Sequence, residues 1–546
     1  MLFKTEHVYI SQTFLNTIPF TSILLLLLLL HSHTSCQHGA GQNRVLANPK
    51  DSIVSSAVSG INTLRAVQVH TLDTETVKEF FIHYPALLSL KAQVLGIYQK
   101  RKYTYIWYDG NALKAQANSL YSHVINISSE GLEDKTLYKT DFTSLIEGGF
   151  ESSAELMLTC QYLLYTKYVW VGLDQKERKE IKWYLPANKL SPAKWLDSLD
   201  NYKNLFDAPP LYRQYDLLKI HLKKYLDISG KTQLPFIRAD RKVYRKGDSS
   251  LVINAVRKWL FITGDTNLDS NAVFFDEKLE ASVKNFQLRF GLAGTGIVDA
   301  ACIRQMNISV AVRIQQIKVN MERSRWISVP VSSDYLVINI PEYKLHMYEN
   351  NELVWSMNVV AGKPTHATVI FTGDIKYVVF SPYWNVPPGI LHKEVLPGIN
   401  KNSHYLSAHD MEWSGGNVRQ RPGPENPLGL VKFLFPNSYN IYLHDTPVKS
   451  LFTENSRGFS HGCIRLEDAR KLAVYLLRND RIWNASKIDS AMHRGQELSV
   501  LLIKPEPVFI AYFTAWVDRQ GGLNFRNDTY GRDKPLGALL VNKSPL

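Results

Sequence analysis

Residues 334–362 read DYLVINIPEYKLHMYENNELVWSMNVVAG, and within this stretch the hydrophobic period falls from 3.6 to 2. Apolar and polar residues alternate on both sides of Glu349, Asn350 and Asn351, the pattern of a β-hairpin with one face turned to a core. Further strands follow at 374–387 (DIKYVVFSPYWNVP), 437–445 (NSYNIYLHD) and 499–518. Upstream the period is helical. The fold class is therefore α+β and multidomain, with a mainly helical N-terminal part and a mostly-β C-terminal part. Residues 388–438, rich in Gly, Pro, Asn and His, are too long for an ordinary connection and read as an insertion of lid type. After Cys463, LEDARKLAVYLL places Leu466, Ala469, Leu472, Ala473 and Leu476 on one face of a helix, with the cysteine just ahead of it.

The helical part divides by composition. Residues 37–55 are polar and aperiodic, a linker, and residues 56–238 carry apolar positions at helical spacing with no clustered chemistry, so they form a scaffold domain. Residues 239–310 form a smaller module of three short helices. The first buries Val252, Val256, Trp259 and Leu260; the second, capped by Asp276, buries Leu279, Val283, Phe286 and Phe290; the third starts after Asp299. GLAGTG at 291–296 supplies the tight turns between them. A linker helix is expected at 311–331, the strand-rich domain at 332–505, and a C-terminal extension at 506–546 whose last thirty or so residues read as a surface tail.

A chain of 546 residues is too long for one core. With 45% hydrophobic and 21% charged residues it is not a disordered polymer. Its net charge of +13 suits an anionic surface or polymer, but without a basic block it supports no nucleic-acid partner. Residues 18–30 (IPFTSILLLLLLL) are apolar yet short for a bilayer span, so residues 1–36 read as a signal peptide, with an uncleaved anchor as the alternative. The protein is thus expected outside the cytoplasm, in the periplasm or cell envelope. Thr34, Ser35 and Cys36 resemble the end of a bacterial lipoprotein signal, although His33 departs from the usual aliphatic residue. Lipidation of Cys36 would tether the chain to a membrane; simple cleavage nearby would not. The other cysteines are Cys160, Cys302 and Cys463, too few for a disulfide framework. Cys160 and Cys302 sit among apolar residues at helical spacing and read as small core residues.

Cys463 is different, because FSHGCIRL surrounds it with a glycine and polar residues. A cysteine attacks as its thiolate and needs a base. His444, at the end of NIYLHD, can reach it by a strand, a loop and a return; His461 lies too close in sequence to aim at the sulfur and reads as a support. Backbone N–H groups at Gly462 and Cys463 can hold an oxyanion, and glycine allows the sharp turn. The remaining histidines, among them His366, His392, His404 and His409, lack metal-ligand spacing, so no metal and no cofactor is assigned.

His444, then Ser460-His461-Gly462-Cys463, an apolar residue and Arg465 closely resemble the signature of bacterial L,D-transpeptidases. Many members carry Asn where Arg465 stands, but a branch of large exported members carries Arg. SPYWNVPPGILHKEVLPGI (381–399), RQRPGPENPLGLVKFLFPN (419–437) and IYLHDTP (441–447) resemble that branch too, and the three-helix unit resembles a peptidoglycan-binding module. The likeness covers nearly all of residues 55–505. It implies an N-terminal scaffold, the binding module, and a catalytic domain whose insertion caps the substrate. It further implies that Cys463 attacks a peptidoglycan stem peptide and releases terminal D-Ala, with His444 as base, and that carbapenems acylate Cys463. The same resemblance assigns the orienter of His444 to the Asp445 main-chain carbonyl, an Asp side chain being the alternative. Arg465 would meet a substrate carboxylate or brace the loop; Ser460, His461, Tyr442 and Trp384 are weaker candidates for substrate contact. Hydrolysis at the same cysteine, and a non-catalytic wall-binding scaffold, are the competing readings.

Overall fold

The computed structural model describes residues 70–184, 191–197, 206, 211–267, 270–327 and 334–542. The expected signal peptide with Cys36, and the 37–55 linker, lie outside the described residues. Among those described, no helix is long and apolar enough to cross a membrane.

The β part is a nine-stranded sheet. Its strands are β1 (Tyr335–Asn339), β2 (Lys344–Glu349), β3 (Glu352–Gly362), β4 (Thr372–Phe380), β5 (Val431–Leu434), β6 (Leu443–His444), β7 (Gly458–Ser460), β8 (Ile464–Leu466) and β9 (Leu498–Ala511). They run in the order β7-β3-β8-β6-β5-β4-β9-β1-β2, and β2 pairs again with β3, so the sheet returns on itself and few edges stay open. The expected hairpin is β2–β3, with Glu349 opposite Glu352 and both Asn350 and Asn351 at positive φ, 49° and 66°. Two asparagines in the left-handed region match the right-handed twist of the strands they join. Alternate residues point inward: Leu345, Met347, Val359, Phe433, Leu443, Ile464 and Ile510 share one core with Leu472, Ala473 and Ile488 of two covering helices.

Three sequence readings are corrected here. Cys463 leads into a strand, not a helix: Ile464 and Leu466 are buried with Arg465 between them, and β8 is hydrogen-bonded between β3 and β6, so the helix starts only at Ala469, capped by Asp468. The insertion ends before 431, because Val431 and Phe433 are fully buried and β5 lies between β4 and β6. Nor is the described C-terminal segment, up to residue 542, a mere surface tail. β9 continues across position 505, with a register shift between Leu501 and Glu506, Ala515–Val517 pairs with Leu523–Phe525, and Leu523, Phe525 and Leu536 are buried.

The helical part packs around Ser152–Tyr165, of which residues 154–165 are all buried, the polar Glu155, Thr159 and Gln161 among them. Within the small module the inward face is Ile253, Val256, Trp259 and Leu260, with Val252 half-buried at its side; Asp276 and Asp299 cap their helices as expected. The helix Val310–Arg325 lies against Gln214–Lys231 and buries its own charges. Arg325 binds Glu322 and the carbonyls of Val169 and Glu130, while Arg323 binds Asp533 of the C-terminal segment at 2.7 Å.

Candidate active site

β6 and β8 are parallel neighbours, with Leu443 opposite Ile464 and His444 opposite Arg465. Leu443 and Ile464 face the core. By the two-residue period of a strand, Tyr442, His444, Cys463 and Arg465 therefore stand together on the other face. The Ile464 N–H donates to the Tyr442 carbonyl at 3.2 Å, which fixes this register.

His444 is buried, and its Nδ1 lies 2.5 Å from the main-chain oxygen of Asp445. A carbonyl only accepts, so Nδ1 carries the proton and Nε2 keeps its lone pair. Burial, and then the charge of Arg465, push the imidazole down to about 4, so it is neutral at ordinary pH. The Asp445 carboxylate is engaged elsewhere, accepting from Lys449 at 2.7 Å and from the Leu430 N–H at 3.0 Å. The main-chain oxygen, not the side chain, meets the imidazole.

Cys463 is half-buried and its Sγ lies 3.7 Å from the Asn440 carbonyl. Burial raises its thiol above the usual range, against contacts with Tyr442 and the charge of Arg465. The resting pair is thus neutral thiol and neutral imidazole, an arrangement in which the thiol would act as a nucleophile only if its proton were removed during attack. Arg465 is half-buried, and its Nε is fully enclosed without a hydrogen-bond partner among the described residues. A half-buried guanidinium of this kind is suited to a carboxylate.

The turn before Cys463 is held by hydroxyls. Gly462 sits at φ 121°, a conformation costly for any side-chain-bearing residue. Its N–H donates to Ser460 Oγ at 3.1 Å, and the Ser460 hydroxyl donates to the Cys463 carbonyl. The Gly462 N–H expected to hold an oxyanion is therefore already occupied, whereas the Cys463 N–H has no partner among the described residues. His461 is exposed, its ring 5.1 Å from that of His366.

Sequence comparison adds the kind of domain in which this geometry lies. Residues 333–483 match the YkuD family profile, described as an L,D-transpeptidase catalytic domain. The chain carries an L,D-transpeptidase catalytic domain. Residues 92–222 match a scaffold domain and residues 263–306 a provisionally described peptidoglycan-binding domain. A curated relative from Haemophilus influenzae, provisionally named an L,D-transpeptidase, is 29% identical over 249 residues, covering 42% of this chain and 50% of its own. The match thus spans half the length of that relative. Among solved structures, an L,D-transpeptidase from Mycobacterium smegmatis is 14% identical with a TM-score of 0.20, over 33% of this chain and 59% of its own. One from Stackebrandtia nassauensis is 13% identical with a TM-score of 0.21, over 49% and 94%. The assignment rests on the matched sequence profiles and not on these superpositions.

In the L,D-transpeptidase domain the insertion is a small folded body. Trp384–Asn385, Asn417–Gln420 and Met411–Ser414 form a three-stranded sheet over a core of Val386, Leu391, Val395 and Val418. Trp384 packs on that core, so the structure gives it an internal role in the insertion, while Tyr442 stands beside His444 with ring centroids 5.6 Å apart. Ser381 N–H donates to the Leu430 carbonyl and closes the base of the insertion. At the returning stem Gly429, at φ 61°, passes so close to Asp445 that a Cβ would lie 2.4 Å from Oδ2.

Sequence reasoning missed Asn440, which receives the thiol, and Thr368, whose Oγ1 donates to the Gly462 carbonyl at 2.8 Å. Both act on or through main-chain atoms, which leave no signature in residue type. The turn-forming run NSYN, in which Asn440 takes a φ of 55°, was the signal the sequence held.

Proposed function

We propose that this chain is a cysteine acyltransferase of cell-wall peptidoglycan that cross-links stem peptides. The observation that carries the reading is the His444 tautomer, Nδ1–H on the Asp445 carbonyl and Nε2 free, on the same sheet face as Cys463. Nε2 takes the thiol proton as Sγ attacks the carbonyl of the third stem residue; the tetrahedral oxyanion collapses, the C–N bond to D-Ala breaks, and His444 returns the proton to the leaving amine. A second stem's amine then attacks the thioester, and the sulfur leaves with the proton His444 removes from that amine. Arg465, half-buried and with its Nε lacking a partner among the described residues, receives a substrate carboxylate. The same thiol opens the ring of a carbapenem and holds it as a stable thioester.

The basic chain and its peptidoglycan-binding module favour attachment to the anionic wall, and the 18–30 apolar run favours export to the cell envelope, with Cys36 as the site of a lipid tether. Incubation of the protein with tetrapeptide muropeptides tests the reaction. Dimers lacking one D-Ala are expected. Tripeptides with free D-Ala as the sole product mean hydrolysis instead, and an unchanged substrate contradicts both.

A further inference from the structure

The Gly462–Cys463 peptide is trans, so its carbonyl and its N–H point in opposite directions. Whatever holds the Gly462 carbonyl therefore aims the Cys463 N–H. That holder is Thr368, which is fully buried. Its hydroxyl donates to the Gly462 carbonyl at 2.8 Å and accepts the Gly362 N–H at 2.9 Å.

Thr368 is itself held from outside the matched catalytic stretch, which ends at 483. The Tyr530 hydroxyl donates to the Gly362 carbonyl at 2.7 Å and accepts the Thr368 N–H at 3.3 Å. It thus pins both ends of the loop from Gly362 to Thr368. No side chain fits at Gly362, where a Cβ would lie 2.2 Å from the His366 carbonyl. Tyr530 is locked in turn: its N–H donates to the Tyr512 hydroxyl at 2.7 Å, that hydroxyl donates to Asp528 at 2.6 Å, and the two rings stack 5.5 Å apart. Asp528 also accepts the N–H groups of Arg532 and Asp533, and Asp533 pairs with Arg323 of the helical part.

We propose that Tyr530, acting through Thr368, is a positioning residue that fixes the Gly462–Cys463 peptide so that the Cys463 N–H faces the developing oxyanion. The inference rests on the reading of Cys463 as nucleophile. The C-terminal segment is on this account part of the catalytic apparatus, and the chain has linked its oxyanion donor to a hydrogen-bonded network that reaches the helical part.

The test separates acylation, which forms an oxyanion, from alkylation by iodoacetamide, which does not. In the full chain, Tyr530→Phe is expected to slow carbapenem acylation of Cys463 about tenfold and Thr368→Val about a hundredfold, up to the loss seen when an oxyanion donor is removed. Alkylation of Cys463 stays at the wild-type rate in both, and Thr368→Ser, which keeps the hydroxyl, restores acylation. With stem-peptide substrate the loss falls on kcat and leaves KM unchanged. Wild-type acylation in both variants overturns the proposal, and so does an equal fall in acylation and alkylation, which would mark a general loosening of the site. Failure of the underlying reading has a separate signature: turnover by Cys463→Ala.

Discussion

Cys160 and Cys463 are the same residue in opposite settings. Around Cys160 every neighbour is buried, the thiol is pushed far above its usual range by burial alone, and the polar groups nearby are matched. Glu155, one turn away, accepts from the Ile106 and Trp107 N–H groups and from the Tyr98 hydroxyl at 2.6, 3.1 and 2.7 Å. Around Cys463 groups are left without a partner among the described residues: the Arg465 Nε, the Cys463 N–H and the Nε2 side of His444. The polar groups around Glu155 close a core, whereas the sheet face around Cys463 keeps three of them open, the arrangement expected of a site that binds a charged group.

The contrast can be broken at four points. The largest effect is expected from Cys463→Ala, which should remove more than about a thousandfold of turnover, while Cys160→Ala leaves kcat unchanged; steady-state assays on muropeptides read both. Next comes Glu155→Ala, which strands three buried donors and should cost about 3 kcal/mol in denaturant unfolding without changing the alkylation rate of Cys463. Arg465→Met is the mirror image. It should slow acylation by stem peptide about thirtyfold while leaving the melting temperature unchanged or higher, since a half-buried cation whose enclosed Nε has no partner among the described residues is replaced by an apolar chain. The smallest effect concerns pH. Burial raises the Glu155 carboxyl from 4.5 to about 7, so the folded state holds its proton more tightly than the unfolded state. That contribution is complete below pH 4.5 and is lost as pH rises through 7. Wild-type stability relative to Glu155→Gln should therefore fall between those values in parallel melts.

That Cys463 and His444 belong together was legible from residue types, a cysteine beside glycine and a histidine ending a strand, and the parallel pairing of β6 with β8 sets them side by side. The hairpin was legible from its alternation and its two asparagines. The sheet order was not, since β6, β8, β5 and β9 meet through pairings distant in sequence that no local pattern encodes. A three-residue strand, Ile464–Leu466, was hidden because its alternation merges with the helical spacing of the residues after it. The C-terminal segment was misread for a related reason: its polar residues are conspicuous in GRDKP, while Leu523, Phe525 and Leu536, which carry it into the interior, are spaced too widely to announce an element. Thr368 and Tyr530 were beyond reach because they act on carbonyls and N–H groups that every residue owns.

The central claim is that Cys463, with His444 Nε2 as its base, forms a thioester with a stem peptide. Intact-mass analysis of the protein quenched in acid during turnover of a tetrapeptide donor, followed by peptide mapping, tests it most directly. The account predicts an adduct of the donor less D-Ala on the peptide containing Cys463, absent in Cys463→Ala and strongly reduced in His444→Gln. An adduct on another residue, or cross-linking by Cys463→Ala, would contradict it.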